Sequence, residues 1–209
     1  MKVKILSERP MGKRVIRWLR SHGETIVKKN PDIIIVAYYP HILKKYEYEN
    51  VPYGAINFHP GYLPWNRGMY PHIWPLIDES PAGVTIHYVN EKIDQGDIIA
   101  QKCIKVYPTD TAGSLEKRTQ EEMFKLFIKI WPRILKMRPK PQIGCGSYHL
   151  ASEIISFQEF SRCDMYRLRA CTFNDRSYGY FMDNGKKVYV GIKFFKENDI
   201  KKFNRRNHG

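Results

Sequence analysis

Short unbroken apolar runs alternate along the chain with segments whose apolar residues recur at helical spacing. Residues 3–6 read as a strand. Residues 11–22 read as a helix, with Val15, Trp18, Leu19 and His22 at helical spacing and Gly23 just past the end. Residues 32–37 (DIIIVA) form a run of strand length without a polar alternation, the pattern of a strand covered on both faces. Residues 55–59 (AINFH) give another strand after a short loop and helical turn, and residues 84–89 the next. Residues 98–106 alternate, which predicts Ile98, Ala100, Lys102, Ile104 and Val106 on one face. Thr109, Asp110 and Thr111 offer caps for a long helix with the stripe Leu115, Met123, Leu126, Phe127, Ile130 and Ile134, which Pro132 should kink or end. This order predicts an α/β fold on a largely parallel sheet.

The composition shifts after Pro139 and Pro141, so the expected division is residues 1–140 and 141–209. In the second part, residues 179–192 (YGYFMDNGKKVYVG) read as a hairpin turning at Asn184-Gly185. Tyr178, Tyr180, Phe181 and Tyr189 alternate there with charges, and little chain remains to cover them. An uncovered apolar strand face is usually an interface, so a homodimer through residues after about 150 is expected.

Length and composition narrow the class. The 209 residues suit one domain, or one with a small appendage, and an apolar fraction of 43% is enough for a core. The longest apolar runs are too short to span a bilayer, and MKVKILSERP carries charges within its first apolar run, unlike a signal peptide. Cys103, Cys145, Cys163 and Cys171 have neither paired nor metal-ligand spacing, which predicts free thiols, no metal site and a cytoplasmic location. The net charge of +14 fits a nucleic-acid surface, an anionic small substrate or a solvated exterior; its scatter along the chain favours the last.

The candidate chemistry lies in INFHPGYLP (56–64), GVTIHYV (83–89) and KIDQGDII (92–99). In an extended segment Ile56 and Phe58 enter the core while Asn57 and His59 project together the other way. Pro60 keeps His59 extended, Gly61 lets the chain turn, and the pair stands at the carboxyl end of a buried strand, where open α/β sheets bind ligands. The second segment supplies a strand beside the site. Asp94, in a turn before Gly96, would orient the histidine and raise its pKa. An amide and an imidazole donate to an oxyanion developing at a formyl carbon, and the histidine or a held water takes the proton lost by an attacking amine. The same residues also read as two satisfied polar groups at a strand end and an aspartate capping its turn.

Together NPDIIIVAYYPHIL, INFHPGYLPWNRG and GVTIHYVNEKIDQGDII, in this order and spacing, resemble the folate-dependent formyltransferase family. The resemblance covers about residues 31–137 well and 1–30 loosely, and its Asn-x-His-Pro-x-x-Leu-Pro loop with a downstream Asp-x-Gly-Asp turn is specific. It implies a shortened Rossmann-like fold, 10-formyltetrahydrofolate as formyl donor, and Asn57, His59 and Asp94 as catalytic residues. Tyr39, His41, Ile42 and Leu43 then match the pterin-pocket loop, Tyr62, Leu63 and Pro64 the loop lining the folate, and residues 93–97, with Ile93 and Asp97, the turn closing over the pterin. The chain departs from the family pattern between Gly23 and Asp32, where a strand–helix unit or two is missing. SERPMGKR replaces the glycine-rich turn after the first strand, leaving Arg9, Lys13 and Arg14 as anion contacts or as solvated charges at a helix start.

The tail narrows the acceptor. Methionyl-tRNA formyltransferases carry a barrel-like domain after the catalytic one, for which about seventy residues are too few. NRGMYPHIWPLID, SYHL and RLRACTF…GYF…NGKKVYV resemble instead the enzymes that formylate nucleotide-linked amino sugars. Trp65, Asn66, Arg67 and Tyr70 are the expected neighbours of such an anionic, aromatic substrate, although Trp65 and Tyr70 read equally as core or rim aromatics. The alternatives are a formyltransferase acting on methionyl-tRNA or glycinamide ribonucleotide, and a basic nucleic-acid-binding module.

Overall fold

The computed structural model describes residues 1–107, 109–158, 169–170, 179–183 and 185–190. The amino-terminal half builds β1 (Lys2–Leu6), α1 (Pro10–Ser21), β2 (Thr25–Ile26), β3 (Ile33–Ala37) and β4 (Ala55–His59). Then follow β5 (Arg67–Gly68), β6 (Gly83–Tyr88), β7 (Ile98–Cys103) and α2 (Ala112–Ile130). The last elements are β8 (Tyr148–His149), α3 (Ala151–Gln158), β9 (Gly179–Asp183) and β10 (Lys186–Val190).

Six strands form one sheet in the order β2-β1-β3-β4-β6-β7. The β2-β1, β1-β3 and β3-β4 pairings are parallel, while β4-β6 and β6-β7 are antiparallel. The all-apolar run of β3 is buried on both sides, as its lack of alternation predicts. Ile33, Ile35 and Ala37 join the main core, and Ile34 and Val36 join a smaller cluster with Leu43 and Ala55. Val15 and Leu19 of α1, and Leu115, Met123, Phe127 and Ile130 of α2, close the main core. Each such side chain contributes about 1.5–3 kcal/mol by leaving water.

The long helix begins where its sequence predicts. Thr111 is its N-cap, its hydroxyl accepting from the Ser114 N–H at 3.2 Å, while the Ser114 hydroxyl accepts from the Thr111 N–H at 3.0 Å. The helix gives way to a 3-10 stretch over Trp131–Lys136, since Pro132 lacks the N–H that continuation needs. The expected alternation over 98–106 is only partly realised. The strand stops at Cys103, and Ile99 and Ile104 are the buried residues, because a bulge between Ile86 and His87 shifts the pairing register.

The hairpin forms by antiparallel pairing of β9 with β10, with Gly185 at φ 76°. Asn184, Tyr178, Cys163 and Cys171 lie outside the described residues. Residues 140–149 pair back with earlier segments of the chain. Lys140 bridges Ile98 through both backbone hydrogen bonds, at 2.7 and 2.9 Å, and β8 pairs in parallel with β5.

Candidate active site

The polar pair projects from β4 as its period of two requires, with Ile56 and Phe58 buried in the core. Past Pro60 the chain folds back over the His59 ring. A Cβ on Gly61 would lie 2.6 Å from His59 Nε2, so only glycine allows this approach. The loop is then stapled to β6 and β7. The Thr85 hydroxyl donates to the Gly61 carbonyl at 2.7 Å and accepts from the Leu63 N–H at 3.2 Å, and Gln101 Nε2 donates to the Leu63 carbonyl at 2.6 Å.

Asp94 enters from the turn after β6, in the left-handed region at φ 53°, which a short polar side chain tolerates. Two residues on, a Cβ at Gly96 would meet the Tyr88 carbonyl oxygen at 1.8 Å, so glycine lets the turn seat against the end of β6. The carboxylate becomes the hub of the group. Oδ1 accepts from Asn57 Nδ2 at 3.1 Å and lies 3.5 Å from His87 Nε2. Oδ2 accepts from the Gly68 backbone N–H at 2.9 Å and lies 3.4 Å from His59 Nδ1. The structure therefore brings Asn57, His59 and Asp94 together.

His87 is a member that the sequence reading missed. It stands opposite Asn57 in the β4-β6 ladder. Its Nδ1–H donates to the Tyr88 carbonyl at 2.7 Å, leaving Nε2 to accept from Asn57 Nδ2 at 3.2 Å. The signal lay in the antiparallel pairing of 55–59 with 83–88, which no local pattern reveals.

The electrostatics correct one expectation. Burial is the largest influence on His59, whose side chain is 3% exposed, and it lowers the pKa below the ordinary histidine value; Asp94 raises it, but by less. Removing the ring from water penalises its charged form more than one carboxylate at 3.4 Å favours it. Both ring nitrogens face acceptors, Nε2 the Asn66 carbonyl at 2.9 Å and Nδ1 the carboxylate. The neutral ring thus has a bonding place waiting for a second proton. Burial alone would raise the Asp94 carboxyl, but His59, once protonated in acid, and the Gly68 N–H outweigh it and hold it far below the usual carboxylate range. Its side chain, 11% exposed, is also more open to solvent than either histidine.

The remaining expected contacts separate into two sets. Ile42 (72% exposed), Ile93, Trp65 (42%) and Tyr70 (38%) present apolar surface outward, while Leu43 and Leu63 anchor their loops from beneath. Tyr39 is half-buried with its ring centroid 5.0 Å from that of His41, which is exposed and 3.5 Å from Glu8. Tyr62 and Pro64 are half-buried, and Asp97 is exposed. Asn66 and Arg67, expected at the substrate, are turned inward to pin their loop. Asn66 is 0% exposed, with its amide on Ser80, Pro81 and Ser147. Arg67 bonds Gln142 and the Cys145 carbonyl. Arg14 is likewise engaged, in a two-pronged ion pair with Glu121 at 2.8 and 3.0 Å.

Lys45, Tyr48, Val89, Asn90 and Gln95 line an open cavity of about 520 Å³. Cys103 and Cys145 are exposed free thiols. Among the described residues no group of His, Cys, Asp and Glu could hold a metal, and no helix is long and apolar enough to cross a membrane.

Comparison with known proteins identifies the family of the chain. The formyl transferase family matches residues 16–130. The dTDP-4-amino-4,6-dideoxyglucose formyltransferase of Mycobacterium tuberculosis is 31% identical over 151 residues, 66% of this chain and 63% of that relative's length. The methionyl-tRNA formyltransferase of Syntrophus aciditrophicus is 42% identical over 96 residues, 46% of this chain and 31% of its own. Among solved structures, the formyltransferase PseJ from Anoxybacillus kamchatkensis, in complex with UDP-4,6-dideoxy-4-formamido-L-AltNAc and tetrahydrofolate, is 31% identical. It superposes at a TM-score of 0.71, covering 81% of this chain and 96% of that one. A sugar N-formyltransferase from Shewanella sp FDAARGOS_354 shares the fold at a TM-score of 0.81 with 22% identity, covering 94% and 98%. With the family match spanning more than half of its residues, the chain belongs to the formyl transferase family.

Proposed function

We propose that the protein transfers the formyl group of 10-formyltetrahydrofolate to the amine of a nucleotide-linked amino sugar. The observation that carries this reading is the Asp94 hub, which holds an amide and a buried, neutral imidazole around one carboxylate. Exposed Ile42, on the loop after β3, and Ile93, next to Asp94 on the turn after β6, offer apolar surface that suits a flat heterocycle. Tyr39, His41, Ile42, Leu43, Ile93 and the backbone of residues 93–97 would hold the folate. When bound, it supplies an electrophilic formyl carbon.

The chain's own residues supply the rest. As negative charge builds on the formyl oxygen, the Asn57 amide turns toward it from Asp94, exchanging one acceptor for a better one. His87 keeps that amide oriented. The proton lost by the amine passes to Nδ1 of His59, directly or through a held water, and the imidazolium, with acceptors on both nitrogens, returns it to the donor nitrogen that departs as its bond to the formyl carbon breaks. No covalent enzyme intermediate is needed, because a neutral amine is already a competent nucleophile.

For the acceptor, the 31% identity to PseJ, whose structure covers 81% of this chain, supports a nucleotide sugar. Exposed Trp65 and Tyr70 suit stacking on a nucleobase, and the net charge of +14 suits a diphosphate. A cytoplasmic homodimer is part of the proposal, supported by the outward Met182 and Tyr189 of the hairpin; light scattering that finds a monomer would remove the dimer. The test of function is incubation with 10-formyltetrahydrofolate and a panel of UDP-, dTDP- and GDP-linked 4-amino-4,6-dideoxy sugars, initiator methionyl-tRNA and glycinamide ribonucleotide. A nucleotide sugar heavier by one formyl group supports the reading, and formylation of only the last two overturns it.

A further inference from the structure

Gln142 lies beyond the residues matched by the family and was not singled out by its sequence, yet both ends of its amide are fully used at the site. Oε1 accepts from Arg67 Nε at 3.0 Å and from Nη2 at 2.7 Å. Nε2 donates to the backbone carbonyls of Asp94 at 2.8 Å and Gly96 at 2.9 Å. One side chain thus ties the loop that follows His59 to the turn that carries Asp94.

The local chain explains how it arrives there. Lys140 pairs with Ile98 through two backbone bonds, and Pro141 holds Lys140 extended, so the chain leaves the bridge running alongside the turn. The demand on residue 142 is specific, because it must accept from a guanidinium and donate to two carbonyls. Glutamate would turn an acceptor toward those carbonyls, and methionine would satisfy neither side. Asp94 has its own backbone in the left-handed region and meets Asn57 and His59 at 3.1 and 3.4 Å, so a displaced turn misplaces both contacts.

We propose that Gln142 is a positioning residue for formyl transfer, clamping the Asp94 turn against the Arg67 loop so that the carboxylate meets Asn57 and His59. The role rests on the formyl-transfer reading above. It implies that the site is completed by chain beyond residue 130, where the family match ends.

The test compares wild type with Gln142→Met, which removes both bonding ends at similar volume, and Gln142→Glu, which keeps the Arg67 contact and inverts the Asp94 side. Both should lower kcat about ten- to hundredfold, with little change in the KM of the amine substrate and a retained melting transition. An NMR titration of His59 supplies a readout that needs no turnover. His59 is faced by Asp94, His87, Arg67 and the Asn66 carbonyl, and Asp94 raises its pKa. Loosening the turn in Gln142→Met should therefore move the His59 midpoint to lower pH. Wild-type kcat in Gln142→Glu, or an unmoved midpoint in Gln142→Met, overturns the clamp. A wild-type chain that formylates no amine sinks the functional reading instead and leaves the titration to decide the clamp.

Discussion

Nδ1 of His59 lies 3.4 Å from Oδ2 of Asp94, and the carboxylate of that pair is the more exposed partner. Burial keeps the ring neutral, and the carboxylate waits at the nitrogen that gains a proton. Turnover should therefore fall on the acid side as His59 becomes protonated, with a midpoint below the ordinary histidine value of about 6.5. Asp94→Asn removes the charge that raises the His59 pKa, so the acid limb should move to still lower pH while the maximal rate falls about a hundredfold or more. A kcat profile for both proteins checks this, and a limb that stays in place or rises contradicts it.

The same burial sets a stability trend. His59 titrates near 6.5 when unfolded and lower when folded, so the unfolded chain binds more protons between these values. This contribution is present above about pH 6.5 and is lost as pH falls through that window; Asp94, also depressed, adds a further loss below about 3.9. Denaturant midpoints should therefore drop on acidification from neutral pH, and the decline just below neutrality should shrink in His59→Asn.

Gly61→Ala places a methyl group 2.6 Å from the His59 ring and 3.0 Å from the Pro71 Cβ. The ring must shift from the carboxylate, so turnover should fall at least tenfold, with destabilisation of about 1–3 kcal/mol. Kinetics paired with thermal melting would show it; unchanged kcat would mean that the ring position is unimportant.

His87→Leu deletes the acceptor that holds one hydrogen of the Asn57 amide at 3.2 Å. The expected loss of turnover is about tenfold, smaller than for His59, because the Asp94 contact at 3.1 Å still orients the amide. A steady-state comparison of the two variants decides the order.

These residues also separate what local sequence conveys from what it does not. Ile56 and Phe58 are buried, the Asn57–His59 pair projects together, and Thr111 caps α2, because each depends on a period or turn chemistry spanning a few residues. The two-residue strand Thr25–Ile26 is too short to carry a pattern, and β5 with β8 arises by pairing distant segments. His87 and Gln142 reach the site through such long-range pairings. The direction of the His59 shift escapes the sequence for a related reason. A neighbouring carboxylate can be inferred from a motif, whereas complete burial of a ring is a property of the folded whole.

The most direct test of the account is the rate of formyl transfer from 10-formyltetrahydrofolate to a nucleotide-linked amino sugar in wild type and His59→Asn, with the fold of each verified by circular dichroism. The account predicts a folded variant whose turnover is lower by about two or more orders of magnitude. Turnover near the wild-type rate in that variant would contradict it.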